Sequence, residues 1–171
     1  MWYFSPEWAN KVALVQQDKQ LTYQALADAV TARKNWLMAQ QVSRVAIAMD
    51  NTIEWVLFDL ACQAAKLCCV PVPSFFSPQQ TAHLLNESGI ELMLTQTSNS
   101  PTNHDAIDSP FESVYVTRLT IQNEPQIPIG TNKITFTSGT TGSPKGVCLS
   151  NEAHLKVAHS LADAVALKND L

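Results

Sequence analysis

Between Arg44 and Leu94 the chain alternates short apolar runs with amphipathic stretches, and few folds accommodate that order. Arg44 opens Val45-Ala46-Ile47-Ala48-Met49, a run of strand length; Cys68-Cys69-Val70-Pro71-Val72-Pro73 and Ile90-Glu91-Leu92-Met93-Leu94 are the next two. Asn51 with Glu54 three residues on reads as a variant capping box, and Trp55, Leu57, Phe58, Leu60 and Ala61 then supply a broad apolar helix face. The second helix is better punctuated. Ser77 caps it, Pro78 fits its first position, Gln80 completes the box, Ala82, Leu84 and Leu85 face inward, and Gly89 ends it. Strand, helix, strand, helix, strand with short joins predicts α/β: a mainly parallel sheet with right-handed crossovers and flanking helices. The prolines of the second strand place its exposed end at an edge or exit. Upstream, Thr22 is an N-cap candidate for a helix burying Leu26, Val30 and Leu37.

Composition narrows the class. The 171 residues are 46% hydrophobic, so a domain this long buries roughly 70% of its unfolded-chain surface and is not disordered. A net charge of −4 with no basic stripe argues against nucleic acid or an anionic membrane as partner. The most apolar stretch, 55–72, is broken by Asp59, Gln63, Lys66 and Pro71, so it is not transmembrane, and the first residues lack the pattern of a signal peptide. Cys62, Cys68, Cys69 and Cys148 have no metal spacing and sit in apolar stretches, as small buried hydrophobes do. Free thiols fit a reducing compartment, so a cytoplasmic protein is expected.

Residues 96–132 change character, with four of the nine prolines amid Ser, Thr and Asn. They read as a long surface connection with one embedded strand, Val114-Tyr115-Val116. Beyond it, Val147-Cys148-Leu149 is of strand type and Ser150 a cap. A last helix would turn Leu155, Ala158, Ala162 and Val165 inward.

The chemistry concentrates in residues 134–150. Three of only five glycines fall within Thr137-Ser138-Gly139-Thr140-Thr141-Gly142-Ser143-Pro144-Lys145-Gly146, beside five hydroxyl side chains and one lysine. Glycines permit positive φ, so successive N–H groups can converge on an anion. Hydroxyls add donors, and Lys145 adds a positive point charge suited to a phosphate oxygen. The bland reading is a flexible hairpin loop. The common P-loop is excluded because Pro144 precedes and Gly146 follows the lysine, which therefore opens no helix; the apolar run after it suggests a strand instead. There is no dinucleotide fingerprint and no Gly-x-Ser-x-Gly, so Ser138 is a poor hydrolase nucleophile.

The string Thr137–Gly146 resembles throughout the phosphate-loop signature of the adenylate-forming superfamily: AMP-forming acyl-CoA synthetases, luciferases and peptide-synthetase adenylation domains. Leu21-Thr22-Tyr23 and Ala64-Ala65-Lys66-Leu67-Cys68-Cys69-Val70-Pro71-Val72 resemble earlier segments of such proteins, although Cys68 stands where glycine is usual. The resemblance implies that a carboxylic acid, fatty or related, joins ATP as an acyl-adenylate before a thiol such as coenzyme A takes the acyl group. It implies ATP, Mg2+ and coenzyme A, with Thr137, Ser138, Gly139, Thr140, Thr141, Gly142 and Lys145 as nucleotide contacts. Pro144 and Gly146 would shape the turn. The family's adenine and magnesium-carboxylate motif, ribose-binding aspartate, hinge and C-terminal catalytic lysine have no counterpart here. Residues 1–171 thus look like a partial N-terminal AMP-binding domain without catalytic residues of its own, inactive alone, and with an apolar surface that could dimerise. Asn151 stands where many members carry histidine.

A carboxylate–CoA ligase leads this reading. A peptide-synthetase adenylation domain is the nearest rival, and a non-catalytic phosphate-binding or assembly module is the alternative of another class. His83, His104, His154 and His159 show no zinc spacing. Trp2, Tyr3, Phe4 and Trp8 read as packing residues at the N-terminus, or as a docking patch. Phe75 and Phe76 read as core or as a wall of the substrate side.

Overall fold

The computed structural model describes residues 4–96, 105–121, 124–137 and 143–165. A short helical turn, Pro6–Trp8, leads into a two-stranded antiparallel ribbon of β1 (Val12–Gln16) and β2 (Lys19–Thr22). No pattern in the sequence predicts this ribbon. Its turn is built on Gln17 at positive φ without glycine or proline, so the usual hairpin signal is missing. Phe4 and Trp8 pack on Tyr23, with ring centroids 5.8 Å apart in both cases. Trp2 and Tyr3 lie outside the described residues.

Helix α1 (Tyr23–Ala39) starts where Thr22 accepts from the Ala25 N–H, as its sequence predicts, and buries Val30 and Leu37. It is followed by β3 (Arg44–Ala48), α2 (Ile53–Ala65), β4 (Cys68–Pro71), α3 (Pro78–Ser88) and β5 (Leu92–Thr95). The cap of α2 is Thr52, not Asn51: the Thr52 hydroxyl accepts from Trp55 N–H. Glu54 closes no capping box; it forms a bidentate pair with Arg33 of α1, both contacts at 2.7 Å. The α3 box of Ser77 and Gln80 forms as expected, and Gly89 ends the helix with φ 56°. Ala82, however, is exposed; the buried side of α3 is Leu84 and Ser88.

Then come β6 (Asp105–Ile107), β7 (Tyr115–Arg118), β8 (Thr131–Thr137), β9 (Lys145–Ser150) and α4 (Asn151–Ala164). The large sheet runs β6-β7-β5-β3-β4-β8-β9. Its centre, β5-β3-β4-β8, is parallel, whereas β6, β7 and β9 add antiparallel at the two sides. The fold is therefore α/β with a parallel core. Among the described residues of 96–132 there are two whole strands, β6 and β7, where one is expected, and β8 begins at Thr131. Strand β4 is interior, not an edge: Pro71 is its last residue and stands opposite Ile47, where the strand leaves the sheet.

Alternation along the central strands serves both faces. Val45, Ile47, Cys69, Leu92 and Leu94 share one core with Val30 and Leu37 of α1 and Phe58 and Ala61 of α2. Ala46, Cys68, Val70, Met93, Ile134 and Phe136 form the other with Leu84 of α3. Each fully buried Leu, Val or Phe contributes about 1.5–3 kcal/mol. Helices on opposite faces give the sheet a switch point. The chain leaves β3 for α2 on one face and β4 for α3 on the other, so the carboxyl ends of these neighbours diverge.

Helix α4 departs from expectation. Its Ser150 cap is present, but Leu155, Ala158 and Val165 are exposed and Ala162 is only half-buried. No described element covers this side of the helix.

Candidate functional site

In open α/β sheets ligands sit outside the carboxyl ends of the strands, at the point where neighbouring connections diverge. A cleft of about 260 Å³ occupies that position. Ala48, Met49 and Asp50 after β3, Val72, Pro73 and Ser74 after β4, and Phe76, Thr81, Met93 and Gln96 line it. Phe76 is thus a wall, as its sequence suggests, whereas Phe75 is exposed and stacks edge-on against it at 5.4 Å.

Strand β8 runs parallel to β4, so its carboxyl end, Thr137, points to the same side of the sheet. The chain returns antiparallel as β9, and Thr137 stands opposite Lys145 in the ladder. The glycine- and hydroxyl-rich segment is therefore slung between two paired residues. Ser138, Gly139, Thr140, Thr141 and Gly142 lie outside the described residues. Lys145 opens no helix, as expected; it is exposed and is the first residue of β9, two residues before the apolar run from which the strand is expected.

The feet of this hairpin are held by packing. Ile134 and Phe136 alternate inward from β8 while Thr135 and Thr137 face out. Gly146 faces Phe136 across the ladder, and a Cβ there would fall 2.9 Å from Ile134 Cγ2 and 3.0 Å from Phe136 Cζ. Glycine at this position is a requirement of close approach. Pro144 is buried, and its carbonyl oxygen lies 3.1 Å from His83 Nε2 of α3. Nothing in the sequence marks His83 for this contact, because the partners are 61 residues apart.

A second polar cluster lies on the opposite face, beneath α4. Lys133 Nζ meets both oxygens of Asp59 at 2.6 and 2.9 Å, and Cys69 Sγ donates to Asp59 at 3.3 Å. His154 and Gln63 line the same cavity of about 190 Å³. Asn151 Oδ1 accepts from Gln63 Nε2 at 3.0 Å, which ties the start of α4 to α2. Burial and the Lys133 charge hold the His154 imidazole below its ordinary value, partly offset by Asp59. Among the other histidines His159 is exposed, and His104 lies outside the described residues.

Three cysteines are buried and free as expected, but Cys148 is exposed because it sits on β9 at the side of the sheet. Burial pushes the Cys68 thiol up to about 11, with Cys148 adding to the shift. Among the described residues no three His, Cys, Asp or Glu side chains converge to hold a metal. No described helix is long and apolar enough to cross a membrane.

Comparison with known proteins agrees with this architecture. Tyrocidine synthase 3 of Brevibacillus parabrevis is 30% identical over 165 residues, covering 90% of this chain and 2% of the synthase. Tyrocidine synthase 1 of the same organism is 28% identical, covering 84% of this chain and 14% of the relative. The o-succinylbenzoate CoA synthetase (MenE) of Bacillus subtilis, solved with its acyl-adenylate intermediate, superposes with a TM-score of 0.71 at 23% identity. That match covers 93% of this chain and 44% of the synthetase. The N-terminal subdomain of Klebsiella oxytoca NpsA gives 0.62 at 23% identity, covering 84% and 39%. The chain thus spans less than half the length of these solved structures and a small part of the synthases. The family described as AMP-binding enzyme matches residues 4–170, and the chain belongs to that adenylate-forming family.

Proposed function

We propose that these residues are the phosphate-gripping first part of a domain that activates a carboxylic acid with ATP. The observation that carries this reading is the hairpin of β8 and β9. It suspends a segment of glycines and hydroxyls between Thr137 and Lys145 at the carboxyl side of a parallel sheet. A carboxylate is a weak electrophile with a poor leaving group; attaching AMP makes its carbonyl reactive and releases pyrophosphate. Donors fixed around the β- and γ-phosphates stabilise the charge that develops there. Thr137, Ser138, Gly139, Thr140, Thr141, Gly142 and Lys145 are the groups assigned to that grip, with Lys145 as the cation. The residues that complete adenylation are assigned to polypeptide outside this chain.

The acceptor is read as the thiol of a carrier protein, and the acid as an amino acid. The names of the curated relatives, synthases and synthetases of peptides, support this over the carboxylate–CoA ligase expected from sequence. A fatty-acid substrate has no support beyond the resemblance, since the CoA synthetase likeness is below 25% identity and speaks to fold alone.

The test is carboxylate-dependent exchange of labelled pyrophosphate into ATP by the polypeptide as its source cell makes it, screened across amino acids, aryl acids and fatty acids. Exchange stimulated by an amino acid is expected. Stimulation by aryl or fatty acids together with CoA consumption would return the ligase reading. No exchange with any acid would leave a phosphate-binding module.

A further inference from the structure

His83 and Pro144 form a contact whose direction is fixed by chemistry. A carbonyl oxygen only accepts, so the hydrogen resides on His83 Nε2 and is donated to Pro144 across 3.1 Å. Pro144 is buried, and a carbonyl taken out of water without a partner is costly. We propose that His83 is a positioning residue of the phosphate loop. From α3 it fixes the residue at which the Lys145 strand begins, and with it the place of the lysine opposite Thr137.

The sheet needs such a tie. The ladder of β8 and β9 fixes these strands to each other along their whole length, from Thr131 and Ser150 to Thr137 and Lys145. Beyond the packing of Ile134 and Phe136, their ladder to β4 is a single register pair, Cys69 with Lys133, near the start of β8. The loop end of the hairpin is four residues further on and has no ladder partner in β4. His83 holds that end from the side.

Helix α3 is a firm base for it. The helix is capped by the Ser77–Gln80 box, and Leu84, next to His83, is buried in the core beneath. At its other end Gly89 takes φ 56° under Pro125, whose Cδ would lie 2.6 Å from any Cβ. Thr81, two residues before His83, lines the switch-point cleft. One rigid helix therefore sets both the cleft wall and the start of the lysine strand.

This inference rests on the nucleotide reading only for its consequence in binding, and the experiment separates the two. The 171-residue chain is compared with His83→Leu, which keeps bulk and loses the donor, and His83→Gln, which returns an N–H near the same place. Peptide-level hydrogen exchange over 143–150 reads the tie directly. Calorimetric binding of inorganic pyrophosphate reads its effect on the loop. His83→Leu is expected to exchange about 5-fold faster there and to bind pyrophosphate about 5–10-fold more weakly, the range of one neutral hydrogen bond. His83→Gln should recover most of both. Exchange and affinity unchanged in His83→Leu, or no recovery in His83→Gln, would overturn the proposal. If the unaltered chain binds no pyrophosphate, the nucleotide reading fails while the exchange comparison still decides the role of His83.

Discussion

Thr137 and Lys145 are register partners, the last residue of β8 facing the first of β9. The lysine ammonium is exposed and contributes little to packing, so its loss should register in binding and not in folding. Lys145→Ala is expected to weaken pyrophosphate and ATP binding by about 1.5–3 kcal/mol, the value of a charge-assisted contact. The urea midpoint should stay in place. Titration calorimetry beside a denaturation curve checks both halves.

Gly146→Ala should act in the opposite way. The added methyl would press on Ile134 and Phe136, both inside the core beneath α3. Overpacking of this kind costs about 1–3 kcal/mol. A lowered urea midpoint with an unchanged slope is the expected result.

Asp59 and Lys133 are each about one-fifth exposed and join α2 to β8. Asp59→Ala would leave the ammonium and the Cys69 thiol without their acceptor, at a cost of about 2–3 kcal/mol, below the full penalty of a wholly buried pair. Replacing both partners, Asp59→Leu with Lys133→Met, should restore much of that loss. A double-mutant cycle in urea measures the coupling.

His154 makes stability depend on pH. Its folded value lies below the ordinary 6.5, so the unfolded chain takes up its proton first. The contribution is complete above 6.5 and is lost as pH falls through the folded value. His154→Gln should flatten that part of the profile below 6.5, leaving the losses from other groups. Urea midpoints measured from pH 7.5 down to 5 in both proteins show the difference.

The thiols should separate by exposure. Cys148 is open to solvent, while Cys62, Cys68 and Cys69 are buried and Cys68 stays protonated at neutral pH. An aromatic disulfide reagent should modify one cysteine quickly in the native chain and the remaining three only on unfolding. Fast reaction of two or more would contradict the burial described.

The central strands and α3 were legible because local signals agree with burial: the Ser77 cap, the Gly89 stop and the unbroken apolar run Leu92-Met93-Leu94 all act over a few residues. The strand after the loop was legible from the apolar run Val147-Cys148-Leu149, although β9 starts two residues earlier, at Lys145. What sequence did not disclose depends on distance. His83 acquires its role from a residue 61 positions away, and Glu54 was assigned to a cap because its real partner, Arg33, lies on another helix. The apolar residues of α4 follow helical spacing, yet periodicity says which side is apolar and not whether anything lies against it.

The ladder pairing at the feet of the loop separates two kinds of variation. On the proposed phosphate-binding reading, changes between the feet would alter affinity, whereas the packing that holds the hairpin lies at Ile134, Phe136 and Gly146. Changes at Ile134, Phe136 or Gly146 cost folding before they touch recognition. On that reading, a population of variants selected for a different phosphate ligand would collect its substitutions from Thr137 to Lys145, and almost none at Ile134, Phe136 or Gly146.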